Sequence, residues 1–429
     1  MKVIVSLCAG ILLLAGCSSG ERVAAQQDLA ALAREYLFLE LSMGMHDEAH
    51  VDAYFGPEEI RRQANQARLP LDEIGSRARQ LEDALRNHPS PDSAMEQLRL
   101  SGLLGRLAAL RTRIALAMGE PLPFDQETES LFGAVAPDLD DAHFEEILVR
   151  IDQLLGGEGP LPERVVEFQR RFVIPPDRLS VVFDAALAEC RRRTVDHIAL
   201  PADESFSVEY VTDKPWSGYN WYQGDAHSLI QVNTDLPIYI SRAVDLGCHE
   251  GYPGHHTFNA LLEKNLVQDR GWLEFSIYPL FSPQSLIAEG SGNYGIELAF
   301  PDDERVNFER EVLFPLAGLD PTDADRYYQL LDLLSELDYA DNEAARDYLN
   351  GKIDRAATIE WLVQYKLSSP ERAEQRTRFF DAYRSYVINY NLGKDIVKQY
   401  VERDGADPNE RWQRFERLIS SPMTASDLD

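Results

Sequence analysis

The chain has 429 residues, of which 44% are hydrophobic and 27% charged, enough apolar material for one large domain or two ordinary ones. Its formal net charge is −30. A surface of that sign repels nucleic acid and anionic lipid head groups, which excludes a polyanion as the natural partner.

Residues 1–16 read as a signal peptide. Lys2 is followed by an apolar run from Val3 to Ala15, interrupted by Ser6 and too short for a good membrane span. The run ends in LLAGC, then SSG, which resembles the lipobox of bacterial lipoproteins. That resemblance implies cleavage before Cys17, acylation of Cys17, and a protein anchored to a membrane of the bacterial cell envelope. Ser18 after the cysteine favours the outer membrane, facing the periplasm. Cys8 also falls in this segment, so the folded part holds only Cys190 and Cys248. Two cysteines are no disulfide framework, and Cys248, directly before His249, reads as a buried thiol.

From Arg22 to about Asp196 the apolar spacing is helical, as in DLAALAREYLFLELSMG, LDEIGSRARQLEDALRN and SAMEQLRLSGLLGRLAALRTRIALAMG. Pro and Gly clusters at 119–124 and 156–162 separate the helices. Residues 205–235 are rich in aromatic and β-branched side chains, and YNWYQGDAHSLIQV predicts two strands joined at Gln-Gly-Asp. Helical spacing resumes after Pro237, and the polar end SSPMTASDLD is expected to fray. The expected fold is mainly α with a small β-sheet, an α+β class. Residues 17–200 form an N-terminal helical region and 201–429 the region that holds the chemistry, in one continuous structural unit.

The sheet leads into HEGYPGHH, residues 249–256. A hydrolytic zinc site needs three protein ligands, an open position and a nearby base. The usual H-E-x-x-H places two histidines one turn apart on a helix, but here position 253 is proline. On a regular helix His256 would lie about 10 Å along the axis from His249, and His255 about two-thirds of a turn away in angle. Pro253 and Gly254 preclude a regular helix, and a bulge or kink there can absorb the extra residues. A third ligand is offered by IAEGSGNYGIELAF, residues 287–300, where Glu289, Asn293 and Glu297 share one helical face. Gly290, Gly292 and Gly295 weaken that helix, and their use is close approach to another backbone. Glu289 could then reach the metal, with Asn293 orienting a ligand.

HEGYPGHH followed by IAEGSGNYGIE resembles a bacterial family of unknown function with a His-Glu-x-x-Pro-Gly-His-His signature. That family is grouped with the thermolysin-like zinc peptidases called gluzincins. The likeness runs from about Tyr36 to Gly393 and includes YFGP at 54–57 and VNT at 232–234. GSGNYG departs from the tryptophan common after Glu-Gly in that family, which bears on pocket shape. The resemblance implies a gluzincin-like helical metallopeptidase with Zn2+ held by His249, Glu289 and one of His255 and His256, and with Glu250 as general base. His255 is favoured over His256 because a two-residue insertion would carry it into the i+4 role. Gluzincins hold peptide backbone on an edge strand, so SLIQVNT at 228–234, with Asn233, is the candidate substrate strand. Arg384 is a candidate for a substrate carboxylate. Tyr390 is a candidate oxyanion donor, while Tyr386 reads as core packing. The remaining histidines are scattered singly and read as structural or exposed.

The expected function is zinc-dependent hydrolysis of peptide or protein substrates. A non-catalytic envelope lipoprotein acting as a binding module, or a metal-dependent amidase or esterase, is the alternative. Oligomeric state is not legible.

Overall fold

The computed structural model describes residues 28–428. The expected signal segment and the acylation site Cys17 lie outside the described residues. The N-terminal part contains α1 (Leu29–Met43), the strand β1 (Val51–Tyr54), α2 (Glu58–Ala67), α3 (Leu71–Arg86), α4 (Ala94–Ala117), α5 (Phe124–Phe132), α6 (Asp141–Leu155), α7 (Leu161–Arg170) and α8 (Leu179–Val195). Then come β2 (Ser205–Val211), β3 (Gly218–Gly224), β4 (His227–Asn233), α9 (Ser241–Leu246), α10 (His255–Leu262), β5 (Ile277–Pro279) and α11 (Pro283–Ala299). The rest is α12 (Glu304–Phe308), α13 (Phe314–Ala317), α14 (Ala324–Glu336), α15 (Ala340–Leu349), α16 (Arg355–Tyr365), α17 (Pro370–Tyr383), α18 (Ile388–Glu402) and α19 (Pro408–Ile419).

The fold is therefore mainly α with small sheets, the expected class. Asp28, Ser93, Asp140, Asp354, Ser369 and Asp407 cap helix starts by accepting backbone N–H groups. The breaks between α4 and α5 and between α6 and α7 fall at the Pro and Gly clusters read from the sequence.

β4 pairs in parallel with β2 and antiparallel with β3, in the order β2-β4-β3. The hairpin turns at Asp225 and Ala226, both at positive φ (52° and 51°), as a type I′ turn requires. SLIQVNT is thus the central strand rather than the expected edge, because β2 covers the side that β3 leaves open. β1 was not expected; its four residues are too few to show an alternation. It pairs antiparallel with β5, with Val51 opposite Pro279 and Ala53 opposite Tyr278.

Helices α1–α4 enclose one core, into which Ile277 of β5 projects. A larger core draws on elements from α5 to the last residues, together with Ala53 and Ala109. Arg99 and Glu274, both buried, join the two regions; Arg99 donates to both carboxylate oxygens. Leaving either charge alone there would cost about 3–5 kcal/mol. The C-terminal stretch does not fray through its last described residue, Leu428: Ser421, Met423, Ala425 and Leu428 are buried. Its apolar side chains find a surface, and Gly102 on α4 lets the Pro422 carbonyl approach. Cys248 is not a free thiol but is disulfide-bonded to Cys190 on α8.

α11 packs tightly against α18. A Cβ on Gly290 would lie 2.3 Å from the Gly393 carbonyl oxygen, and a Cβ on Gly393 would lie 2.7 Å from that of Leu286. The backbones themselves are in contact. Gly290→Ala gains about 1 kcal/mol in helix propensity but must wedge the helices apart. The expected net loss is about 2 kcal/mol, read as a lower urea midpoint; an unchanged midpoint would contradict the packing.

Candidate metal centre and cleft

α9 runs without interruption into a π-helical turn, Gly247–Gly251, which carries His249 and Glu250. Tyr252 then adopts an extended conformation, and the Tyr252–Pro253 peptide is cis. The chain next passes over its own backbone. Gly254 donates its N–H to the Cys248 carbonyl at 3.0 Å. A Cβ at Gly254 would fall 1.9 Å from the His249 carbonyl oxygen, so no other residue fits. α10 starts directly after this crossing, and the His255 ring meets the His249 ring edge to face at 4.6 Å. The expected break is thus a π-turn followed by a backbone crossing.

α11 brings Glu289 to the same place. The Glu289 Oε2 atom lies 3.1 Å from His249 Nε2 and 3.6 Å from His255 Nε2. The three potential ligand atoms lie within 4.8 Å of one another. Gly292 makes room for the histidine, since a Cβ there would sit 2.8 Å from His249 Nδ1. Gly295 receives the Pro253 ring in the same way, also at 2.8 Å. Of the three helix glycines, only Gly290 meets backbone; the other two meet rings.

Hydrogen bonds set the His249 tautomer and hold the Glu289 carboxylate. Asn293 donates its amide to the Tyr390 carbonyl at 2.8 Å, which turns its oxygen toward His249 Nδ1 at 2.9 Å. Nδ1 therefore carries the hydrogen, and the Nε2 lone pair faces the Glu289 carboxylate. Glu289 Oε2 is buried without a hydrogen-bond partner, while Oε1 accepts from the Tyr386 hydroxyl at 2.8 Å. A lone pair opposite a carboxylate oxygen is repulsive unless a proton or a metal cation lies between them. Two imidazole nitrogens and one carboxylate oxygen are the donor set of a catalytic zinc site. Burial opposes charge on His255, but the Glu289 carboxylate outweighs it and raises the ring to about 9. Burial likewise opposes charge on Glu289, and the two histidines hold its carboxyl well below the usual range.

Glu250 is buried, and burial pushes its carboxyl up while His249 and His255 pull it down. Its carbonyl accepts from Asn220 at 2.7 Å, and its carboxylate lies against Gly218, where a Cβ would be 2.9 Å away. Both contacts come from β3. A cleft of about 1060 Å³ opens over Glu250, His249, His255 and Glu289, walled by β3 and by Tyr390. The Tyr390 ring lies nearly parallel to that of His249 at 6.4 Å.

His256 faces away from this group. It is fully buried, with Nδ1 2.8 Å from Ser228 Oγ and Nε2 3.0 Å from Glu204. Serine, histidine and carboxylate stand in line, yet none lines the cleft. They tie β4 and the segment before β2 to α10.

Two expected substrate contacts are otherwise engaged. Asn233 donates its amide to the Lys214 and Trp216 carbonyls and accepts from Asp235, holding the loop before β3. Arg384 forks onto the buried carboxylate of Glu127 through Nε and Nη2 and does not line the cleft. Tyr386 is more than core packing, because its hydroxyl holds Glu289. Asp52 and Tyr219 also line the cleft and were not read from the sequence; Asp52 sits in a stretch whose apolar spacing looked helical.

No family model matches the sequence, and no curated protein matches it. The signature resemblance therefore rests on the motif residues themselves. Among solved structures, the chain is similar to a candidate lipoprotein from Colwellia psychrerythraea, with 14% identity, a TM-score of 0.50, and 90% of this chain and 74% of that chain covered. It is also similar to an M32 carboxypeptidase from Deinococcus radiodurans R1, with 12% identity, a TM-score of 0.43, and coverage of 91% and 88%. A candidate lipoprotein of unknown function from Shewanella oneidensis shows 12% identity, a TM-score of 0.41, and coverage of 85% and 79%. The likeness to the Colwellia protein extends over nearly the whole chain and is one of fold.

Proposed function

We propose that the chain is a zinc-dependent hydrolase that cleaves peptide bonds, with His249, His255 and Glu289 as metal ligands. The observation that carries this reading is the facing of the His249 lone pair and the unpartnered Glu289 oxygen, beside a second buried carboxylate, in the floor of a cleft. A bound zinc supplies Lewis acidity, activating water and polarising the scissile carbonyl. Glu250 accepts the proton of the attacking water and returns it to the leaving amine, a task suited to a carboxylate whose pKa is raised by burial. Asn293 keeps His249 in the ligating tautomer, and Tyr386 keeps Glu289 in place. The Tyr390 hydroxyl donates to the carbonyl oxygen as charge builds there. The edge strand β3, rather than β4, receives the peptide backbone, and its Gly218 leaves space for the Glu250 carboxylate beside it.

The proposed setting is the bacterial cell envelope, with a lipid anchor on Cys17 at the outer membrane, facing the periplasm. The LLAGC run supports it, as does the Cys190–Cys248 disulfide, a bond of oxidising compartments. Fatty-acid labelling should mark the wild-type protein and be absent from Cys17→Ser; equal labelling would remove the anchor from Cys17.

Glu250→Gln should bind one equivalent of zinc and lose at least about a thousandfold in kcat; activity close to wild type would reject Glu250 as the base. His255→Ala should lose zinc by elemental analysis. His256→Ala should keep it while losing about 2–3 kcal/mol of stability, since it leaves a cavity in the interior and Ser228 without its partner, although Glu204 keeps Arg191 and Tyr252. The opposite pattern would reverse the ligand assignment.

A further inference from the structure

Asp52 lies in the wall of the cleft and takes no part in holding the metal or moving the proton. Its position has a backbone cause. Val51 stands opposite Pro279 and Ala53 opposite Tyr278, so Asp52 is the extra residue of a β-bulge. A bulge lifts a residue out of its ladder and re-aims its side chain, and such bulges recur beside active sites. Tyr219 on β3 donates its hydroxyl to Asp52. Among the described residues, no lysine or arginine pairs with this carboxylate. Burial raises it to about 7, against the pull of the Tyr219 hydrogen bond, so an arriving cation would favour its ionised form.

Tyr278, on the strand paired with β1, lines the same cleft. It is only 7% exposed, and its hydroxyl has no hydrogen-bond partner. A buried tyrosine hydroxyl ordinarily finds one. Tyr383 completes this part of the wall. With Glu250 and Glu289 also acidic, the region disfavours a substrate carboxylate. A carboxylate among tyrosine rings suits an ammonium group, which gains a charge-assisted hydrogen bond and aromatic faces together.

We propose that Asp52, Tyr219 and Tyr278 form a subsite for an ammonium group of the substrate, either a free amino terminus or a lysine side chain next to the scissile bond. This rests on the hydrolase reading above and names the substrate class for it.

The test measures kcat/KM of the zinc-loaded full chain on matched peptides. One pair differs in a free or acetylated amino terminus, the other, acetylated throughout, in lysine or norleucine near the cleavage site. One pair should show a preference of about tenfold or more for the ammonium-bearing member, and which pair does so identifies the source. Asp52→Asn should bring that ratio close to one, through KM more than kcat. Tyr278→Phe, which removes only the orphan hydroxyl, should lower it several-fold and guards against a misfolded Asp52 variant. No preference in either pair, or a preference intact in both variants, overturns the subsite. If the protein takes up zinc but cleaves nothing, the hydrolase reading fails on its own. Affinity of the zinc-loaded Glu250→Gln protein for leucine hydroxamate against N-acetyl-leucine hydroxamate, and for a lysine-bearing against a norleucine-bearing hydroxamate, then reads the subsite. Leucinamide against its acetyl derivative, with acetyl-lysinamide against acetyl-norleucinamide, serves if no zinc is taken up. Equal affinities within both pairs would overturn it.

Discussion

The arrangement depends on one close approach, the passage of the Gly254 backbone over the carbonyls of Cys248 and His249. A helix brings residues to a common point by winding, and the rise per residue limits which ones can meet. Here the chain leaves the helix and doubles back, and a residue six positions on is delivered to the side of His249. The crossing tolerates no side chain at position 254. The π-turn before it has the wider winding that the extra residues require. With the two histidines so placed, one more helix suffices to complete the triad.

That helix, α11, is defined by what it lacks as much as by what it carries. Gly290 lets α18 approach, Gly292 admits the His249 ring and Gly295 the ring of Pro253. Three missing side chains let one helix touch three neighbours at separations that alanine would not allow. Glu289 and Asn293 extend from the same helix, so the positions of a candidate ligand and of its neighbour's orienting group are set together. The hydrogen bond from Asn293 to the Tyr390 carbonyl carries this order on to α18.

Much of this was legible in the sequence because it is local. Helical spacing, the hairpin, the irregularity at Pro253-Gly254 and the shared face of Glu289 and Asn293 all follow from residues within a few positions of each other. What was not legible depends on partners far along the chain. β1 exists because β5, more than two hundred residues later, offers it a ladder. Asn233 and Arg384 have the right chemistry for substrate, but local loop carbonyls and the distant Glu127 engage them first. Which of His255 and His256 stands beside Glu289 likewise depends on Ser228 and Glu204, which hold the His256 ring elsewhere. Tyr386 looked apolar in context because its polar partner lies on another helix.

The pairing of β1 with β5 has a consequence for how the molecule could be divided. A fragment starting at residue 201 would keep HEGYPGHH and Glu289 whole. It would lose Asp52 from the cleft, Cys190 from the residue next to His249, Glu127 from Arg384 and Arg99 from Glu274. Motif and scaffold are therefore not modular here. The residues that resemble an enzyme are contiguous in one half, and the surroundings that make them a site are borrowed from the other.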